Sequence, residues 1–411
     1  MPEAKARSQS PRSRFRRGIE RLFPDPRHGG RIFGRPASLV YGPADKGPPA
    51  ALVPLAAQHA MLAVTFLVYP VLAATEARLP ADQMSAMLSA CAMSIGVATI
   101  IQCMRTRFGS GYLAVHIPAP GAIPLAAQAL MLGGLGLMAM TTLLVGICQL
   151  FMARLVRPLR VLLPPEVCGV AVSMLGVSLA GPLVAQNATF ASLATVGIIV
   201  AITVFAPRRL KLFAVFAGAS IGWVLALVLG AGHPEANAAI AAAPLVAWPT
   251  LTLPSLQFAP ALFPLMALLV MMNLVDVLSV TVSLEKMNDA DWRRADMQAA
   301  QRAVTACGFG NILNGLTSGF QSGLSSSSVG LAFATQSTAR IIGILAGAMI
   351  FAIAFLPKAI VALTLIPSPV IGGILLYTSS YLVVAGMDLV PSRRLSERRV
   401  FVVGLSVLAG L

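Results

Sequence analysis

The sequence predicts an all-α polytopic membrane protein with a seven-plus-seven inverted-repeat transporter fold. Three observations predict it: an apolar composition arranged in span-length blocks, a strict alternation of basic loops, and two interrupted spans seven helices apart. Of 411 residues, 57% are hydrophobic and 11% charged, with mean hydropathy +0.81. A soluble domain has neither the core to bury that much apolar surface nor the polar residues to cover it. The apolar residues fall into blocks of roughly 17 to 25 residues, the length a hydrocarbon layer of about 30 Å demands of a helix. Helices must do the spanning, because an open strand edge would leave unpaired amides in lipid.

Taken in order, the blocks place helices near 50–73, 84–104, 111–128, 130–153, 165–184, 191–206, 213–231, 260–282, 299–319, 321–337, 340–356, 365–387 and 398–411. The sequence therefore reads as thirteen spans, the last cut short at Leu411. Arg and Lys test this order. Even-numbered spans are followed by Arg105 and Arg107; Arg154, Arg157 and Arg160; Arg208, Arg209 and Lys211; Lys286, Arg293 and Arg294; Arg340; and Arg393, Arg394, Arg398 and Arg399. Odd-numbered spans are followed by Arg78 and Lys358 alone. One missed helix would invert every later loop, so the alternation supports the count. It places the N-terminus in the cytoplasm and the protein in the inner (plasma) membrane.

The net charge of +15 would suggest nucleic acid in a soluble protein. Here eleven basic residues precede residue 50, among them Arg12, Arg14, Arg16, Arg17 and Arg21, in a segment without an apolar run. Residues 1–48 read as a disordered cytoplasmic tail that sets topology and attracts anionic lipid, not as a nucleic-acid-binding segment. No cleavable apolar stretch follows a short basic start, as a signal peptide would require. The five cysteines, Cys91, Cys103, Cys148, Cys168 and Cys307, form no C-x-x-C pair and have no His partner at ligand spacing. No H-E-x-x-H, metal-ligand cluster or Ser/His/Asp spacing is present, so neither an enzyme nor a metal or other cofactor is expected.

Two spans violate helix rules in their middle. The third reads Val115-His116-Ile117-Pro118-Ala119-Pro120-Gly121-Ala122-Ile123-Pro124, which cannot be one continuous helix. The tenth reads Ser322-Gly323-Leu324-Ser325-Ser326-Ser327-Ser328-Val329-Gly330. Broken spans at matching places in two halves are where membrane carriers bind solutes. Unwound backbone there would offer N–H and C=O groups, Ile117, Ala119, Gly121 and Gly330 serving through the main chain. Ser326, Ser327 and Ser328 would add hydroxyls, and the half-helices would aim positive dipole ends at a ligand. Kinking or close packing alone is the plainer account of the same residues. Asp276 is the one acid in mid-span, where an ionised carboxylate costs roughly 2.5–3.5 kcal/mol. Proton uptake and release would relieve that cost. Span one, the repeat partner of span eight, carries Gln58-His59.

In these residues the chain resembles the nucleobase-ascorbate transporter family, also called nucleobase:cation symporter-2. The likeness runs from about residue 50 to the end and includes Gln58-His59, Pro164-Pro165-Glu166-Val167-Cys168-Gly169, and Ile366-Pro367-Ser368-Pro369-Val370-Ile371-Gly372-Gly373. The family's span-ten signature, Gln or Glu, then Asn-x-Gly-x4-Thr-basic, is met by Ser327-Ser328-Val329-Gly330 through Thr335-Gln336. Gly330 and Thr335 match; Ser327, Ser328 and Gln336 do not. The family's span-eight Glu has no counterpart in the apolar interior, where Asp276 is the nearest acid and Asn273 could equally take the position. The resemblance implies a core domain (49–154 and 259–358) moving against a gate domain (155–258 and 359–411). It further implies secondary active transport of a nucleobase-like heterocycle, with a proton or sodium ion as the coupling ion, and leaves a homodimer open. Substrate-binding candidates are Gln58, Ile117, Ala119, Gly121, Asn273, Asp276, Ser326, Ser327, Ser328 and Gly330; proton-coupling candidates are Asp276 and His59. An anion transporter or channel of the sulfate-permease type, sharing the architecture, is the alternative.

Overall fold

A computed structural model describes residues 34–162, 170, 173–174, 177, 189–207, 214–230, 236–251, 253, 257–292, 295–390, 400–401 and 403–405. These form a mostly helical molecule. The Pro164–Gly169 motif and most of the predicted fifth and thirteenth spans lie outside the described residues, as do residues 1–33.

Pro49 opens α1 (Pro49–Thr65) at a first-turn position that needs no N–H donor. A tight turn at Phe66 and Leu67 joins it to α2 (Val68–Glu76), and together they make a 28-residue apolar span. α3 (Ala81–Cys103) follows Pro80. The chain then extends as β1 (His116–Pro118), makes a 3-10 turn over Pro120–Ala122 and enters α4 (Ile123–Leu162). α4 is interrupted at Gly133 and Gly134, the latter at φ 62° where a side chain would be strained. The predicted boundary between spans three and four thus falls a few residues further along.

Further along, the described residues form three shorter helices, α5 (Phe190–Phe205), α6 (Ala214–Val228) and α7 (Ala236–Ala242). A 3-10 turn at Pro260–Leu262 leads into α8 (Phe263–Asn288), and Asp296 caps α9 (Met297–Leu316) through the Gln298 N–H. β2 (Ser322–Leu324) precedes α10 (Ser326–Thr335), α11 (Arg340–Ile353), α12 (Pro357–Thr364) and α13 (Ser368–Leu389). α12 is absent from the sequence reading, which left Lys358 in a loop; Pro357 starts a new helix bent 79° from α11. Among the described residues four helices are long and apolar enough to cross a membrane, or five if that bent pair is one span.

The tail assignment needs correction at its inner end. Residues 34–48 are tied down, because extended backbone there finds strand-like partners in the 336–340 segment. Val40 N–H donates to Gln336 O (2.8 Å), Thr338 N–H to Tyr41 O (2.7 Å) and Arg340 Nε to Pro43 O (2.7 Å). An Arg35–Asp45 ion pair of 2.9 Å closes the loop, and Leu39 is buried beneath it.

Small residues bring the helices together. A Cβ on Gly96 of α3 would lie 2.7 Å from Gly347 O of α11, and one on Gly347 the same distance from Gly96 O. α4 and α9 meet the same way: a Cβ on Gly146 would lie 2.9 Å from Gly308 O, and one on Gly308 3.1 Å from Gly146 O. Backbones this close trade side-chain bulk for dispersion contact, the packing that works where lipid supplies no hydrophobic drive between helices. Around these pairs Leu67, Met87, Leu88, Ile95, Leu113 and Phe320 fill the core. On α5 and α6, by contrast, Phe190, Leu193, Phe205, Val224 and Val228 are exposed.

Candidate functional site

The two segments that break helix rules in the sequence meet in the fold. β1 and β2 pair antiparallel, with His116 opposite Leu324, Ile117 opposite Gly323 and Pro118 opposite Ser322. The ribbon continues at both ends: Ala119 N–H donates to Gln321 O (2.9 Å), and Ser325 N–H to Val115 O (3.0 Å). Its formation follows from the residues. Pro118 and Pro120 forbid helix on one side, and a run of Gly and Ser favours turn and cap conformations over helix on the other.

A half-helix leaves each strand. After β2, Ser325 is the N-cap of α10, its hydroxyl accepting the Ser328 N–H at 3.1 Å. The amides of Ser326 and Ser327 therefore head the first turn with no acceptor inside the helix. Ser326 is exposed, Ser327 half-buried and Ser328 buried. His59 of α1 reaches Ser328: Nδ1 and Oγ are 2.9 Å apart, both side chains buried. Gly330 lies half-buried in the second turn of α10.

α8 passes alongside. Asn273 is buried, and a Cβ at Gly323 would come within 3.3 Å of its Oδ1 and 3.8 Å of the Ala119 Cβ. Asn273 Nδ2 has no hydrogen-bond partner among the described residues. Asn273 thus flanks the ribbon. Asp276, three residues further on, is exposed. Ile117, Ala119 and Gly121 are buried in the first arm, whereas Gln58 is half-buried beside His59. The ribbon thus gathers Ile117, Ala119, Asn273, Ser328 and His59, with Ser326 and Ser327 in the first turn of α10 beside it.

Several polar side chains behind the ribbon escaped the sequence reading. Thr99 of α3 accepts the His116 N–H (3.0 Å), and Asn311 of α9 bonds both backbone groups of Ser322. Gln149 of α4 and Asn314 of α9 join them. His116 is buried with both ring nitrogens lacking a partner among the described residues. The sequence carries a signal for these positions, namely carboxamides inside otherwise apolar spans, where an unpaired amide costs several kcal/mol. No group of three or more His, Cys, Asp or Glu able to hold a metal occurs among the described residues.

Comparison with known proteins gives the fold and the family. The solved transmembrane domain of BicA, a cyanobacterial bicarbonate transporter, superposes with TM-score 0.55 at 15% identity, covering 85% of this chain and 96% of that one. SLC26A9 gives TM-score 0.63 at 11% identity over 88% of this chain and 63% of its own. At such identities the likeness is one of fold. In sequence, a putative purine permease of Clostridium perfringens is 23% identical over 399 residues, 91% of this chain and 85% of its own length. The xanthine permease XanP of Escherichia coli K12 is 23% identical over 408 residues (91% and 87%), and the uric acid permease PucK of Bacillus subtilis 28% over 389 (88% and 86%). The xanthine/uracil permease model, described as a permease family, matches residues 50–411. The chain therefore belongs to this family of membrane permeases, the nucleobase-ascorbate transporters.

Proposed function

We propose that the protein is a secondary active transporter that carries a nucleobase against its gradient with a coupling proton, binding it at the β1–β2 crossing. The observation that carries this reading is the antiparallel pairing of two unwound segments with the α10 N-terminus and the unpartnered Asn273 amide at their side. Xanthine, uric acid and other purines present N–H next to C=O along a ring edge. A carboxamide offers a matching acceptor and donor, so Asn273 can pair with that edge in two bonds. The Ser326 and Ser327 amides and hydroxyls suit a ring carbonyl, which the helix dipole also favours. His59 orients Ser328, and Asp276 takes the role of proton carrier.

The finer architecture belongs to the same proposal: two halves of seven spans, inverted, with spans three and ten broken. Numbering α3, α4, α9 and α11 as spans two, four, nine and eleven, a shift of seven exchanges the glycine-mediated pair two/eleven with the pair nine/four. The same shift relates Thr99 on span two to Asn311 on span nine, each holding the outer edge of one strand. The arginine alternation supports a cytoplasmic N-terminus in the inner membrane. Core and gate bodies along the predicted boundaries, and dimerisation, extend this reading.

Uptake of labelled xanthine and uric acid into cells making the protein, set against labelled sulfate and bicarbonate, tests the substrate. Saturable purine uptake abolished by a protonophore is expected. Transport of anions alone would overturn the reading in favour of an anion carrier, an alternative supported by the BicA and SLC26A9 folds. Asp276→Asn should abolish proton-driven accumulation while leaving purine exchange across the membrane; accumulation at the unmutated level would remove Asp276 from the coupling role.

A further inference from the structure

Asn311 makes contacts out of proportion to a side chain that touches no proposed ligand group. It is fully buried on α9. Its Oδ1 accepts the Ser322 N–H at 2.7 Å, and its Nδ2 donates to the Ser322 carbonyl at 2.9 Å. The second Nδ2 hydrogen goes to Gln149 Oε1 on α4 at 2.8 Å. Because Ile117 and Gly323 face each other across the ribbon, the N–H and C=O of Ser322 point outward, away from β1. One carboxamide takes both, as a third strand would. Asn314 Nδ2 adds a contact of 3.3 Å to the Ser322 hydroxyl. The opposite edge has its own holder, Thr99 Oγ1 on the His116 N–H.

A two-stranded ribbon of three residues per strand has no stability of its own, and in a bilayer water does not replace missing partners. We propose that Asn311 is a positioning residue for the substrate site: its carboxamide substitutes for a neighbouring strand and sets the height of β2 against α8 and of the α10 N-terminus. The Ser322 backbone fixes which way round the amide sits, since its N–H needs Oδ1 and its C=O needs Nδ2, and the Gln149 bond uses the remaining Nδ2 hydrogen. Loss of the amide leaves two backbone groups unpaired at Ser322, three residues before the α10 cap and one before Gly323, which faces Asn273. The site is then displaced without losing any ligand-contacting group. The inference rests on the transport reading for where the ligand lies, but the structural half stands apart from it.

Purified full-length protein in lipid nanodiscs, unmutated and as Asn311→Ala, Asn311→Asp and Gln149→Leu, is followed by amide hydrogen exchange and, in cells, by xanthine uptake normalised to membrane abundance. For Asn311→Ala, exchange at residues 321–325 should accelerate on the order of tenfold or more, as expected when buried amides lose their acceptor, with other helices unchanged. The KM for xanthine should rise in parallel, while maximal rate changes less. Asn311→Asp keeps the acceptor for the Ser322 N–H and should fall between the two, and Gln149→Leu should give a smaller rise. Unaltered exchange at 321–325 in Asn311→Ala, or acceleration spread evenly over all helices, overturns the proposal. Should Asn311→Ala not reach the membrane, Asn311→Asp and Gln149→Leu decide, unaltered exchange in both overturning it. Accelerated exchange in a protein whose unmutated form moves no purine would sustain the positioning role and refute the transport reading.

Discussion

The two strands of the crossing are made by opposite chemistry. β1 exists because Pro118, Pro120 and Pro124 deny the helix its donors, and the turn that follows consumes its own amides: Ala122 N–H goes to Ala119 O and Ile123 N–H to Pro120 O. Two of that arm's carbonyls, Ala119 O and Pro120 O, are thereby occupied. β2 exists because glycine and serine bond locally in preference to helix, and the half-helix after it begins with unspent amides at Ser326 and Ser327 beside free hydroxyls. The two arms therefore differ, the second beginning its half-helix with the serine amides and hydroxyls that the proposed binding mode uses.

This contrast can be broken most severely at its tightest point. Gly323→Val would drive side-chain atoms into Asn273 Oδ1 and the Ala119 methyl; xanthine uptake should fall to background at unchanged membrane abundance. Uptake near the unmutated rate would mean that the ribbon face is not a binding surface. Next, Asn273→Ala removes the carboxamide without filling space. The KM should rise about tenfold, the loss of one or two hydrogen bonds to a desolvated ligand, measured from initial rates. An unchanged KM would shift ligand recognition to the serine arm alone. The smallest effect is expected from Ser328→Ala, which leaves His59 Nδ1 without its 2.9 Å partner. A rise in KM of about threefold, reproduced by His59→Leu and not deepened in the double variant, would show that the two act as one unit.

The breaks themselves were legible because proline and glycine act locally: nothing beyond Pro118, Pro120 and the Ser322–Gly330 run is needed to forbid helix there. The seven-helix repeat and the arginine alternation remain part of the proposed architecture. What holds the ribbon was not legible, because Asn311 and Ser322 are eleven residues apart around a turn and Gln149 comes from another span. The choice between Asn273 and Asp276 is open in the sequence, since a span apolar around most of its circumference does not announce which face meets the site. Residues 34–48 look like tail by composition, and their order comes from backbone partners at 336–340 that no local pattern records. α12 was missed because Pro357 reads as an ending, though proline equally opens a helix.

The central claim is that a purine sits between the two arms, against the first turn of α10. Ser327→Cys, in a chain whose five native cysteines are replaced by Ala or Ser, places a thiol at that turn. Its rate of alkylation by a membrane-permeant maleimide reports whether the turn is covered. The account predicts a slowing of at least fivefold by saturating xanthine or uric acid and none by sulfate or bicarbonate. A rate indifferent to purines, or slowed by the anions alone, would contradict it.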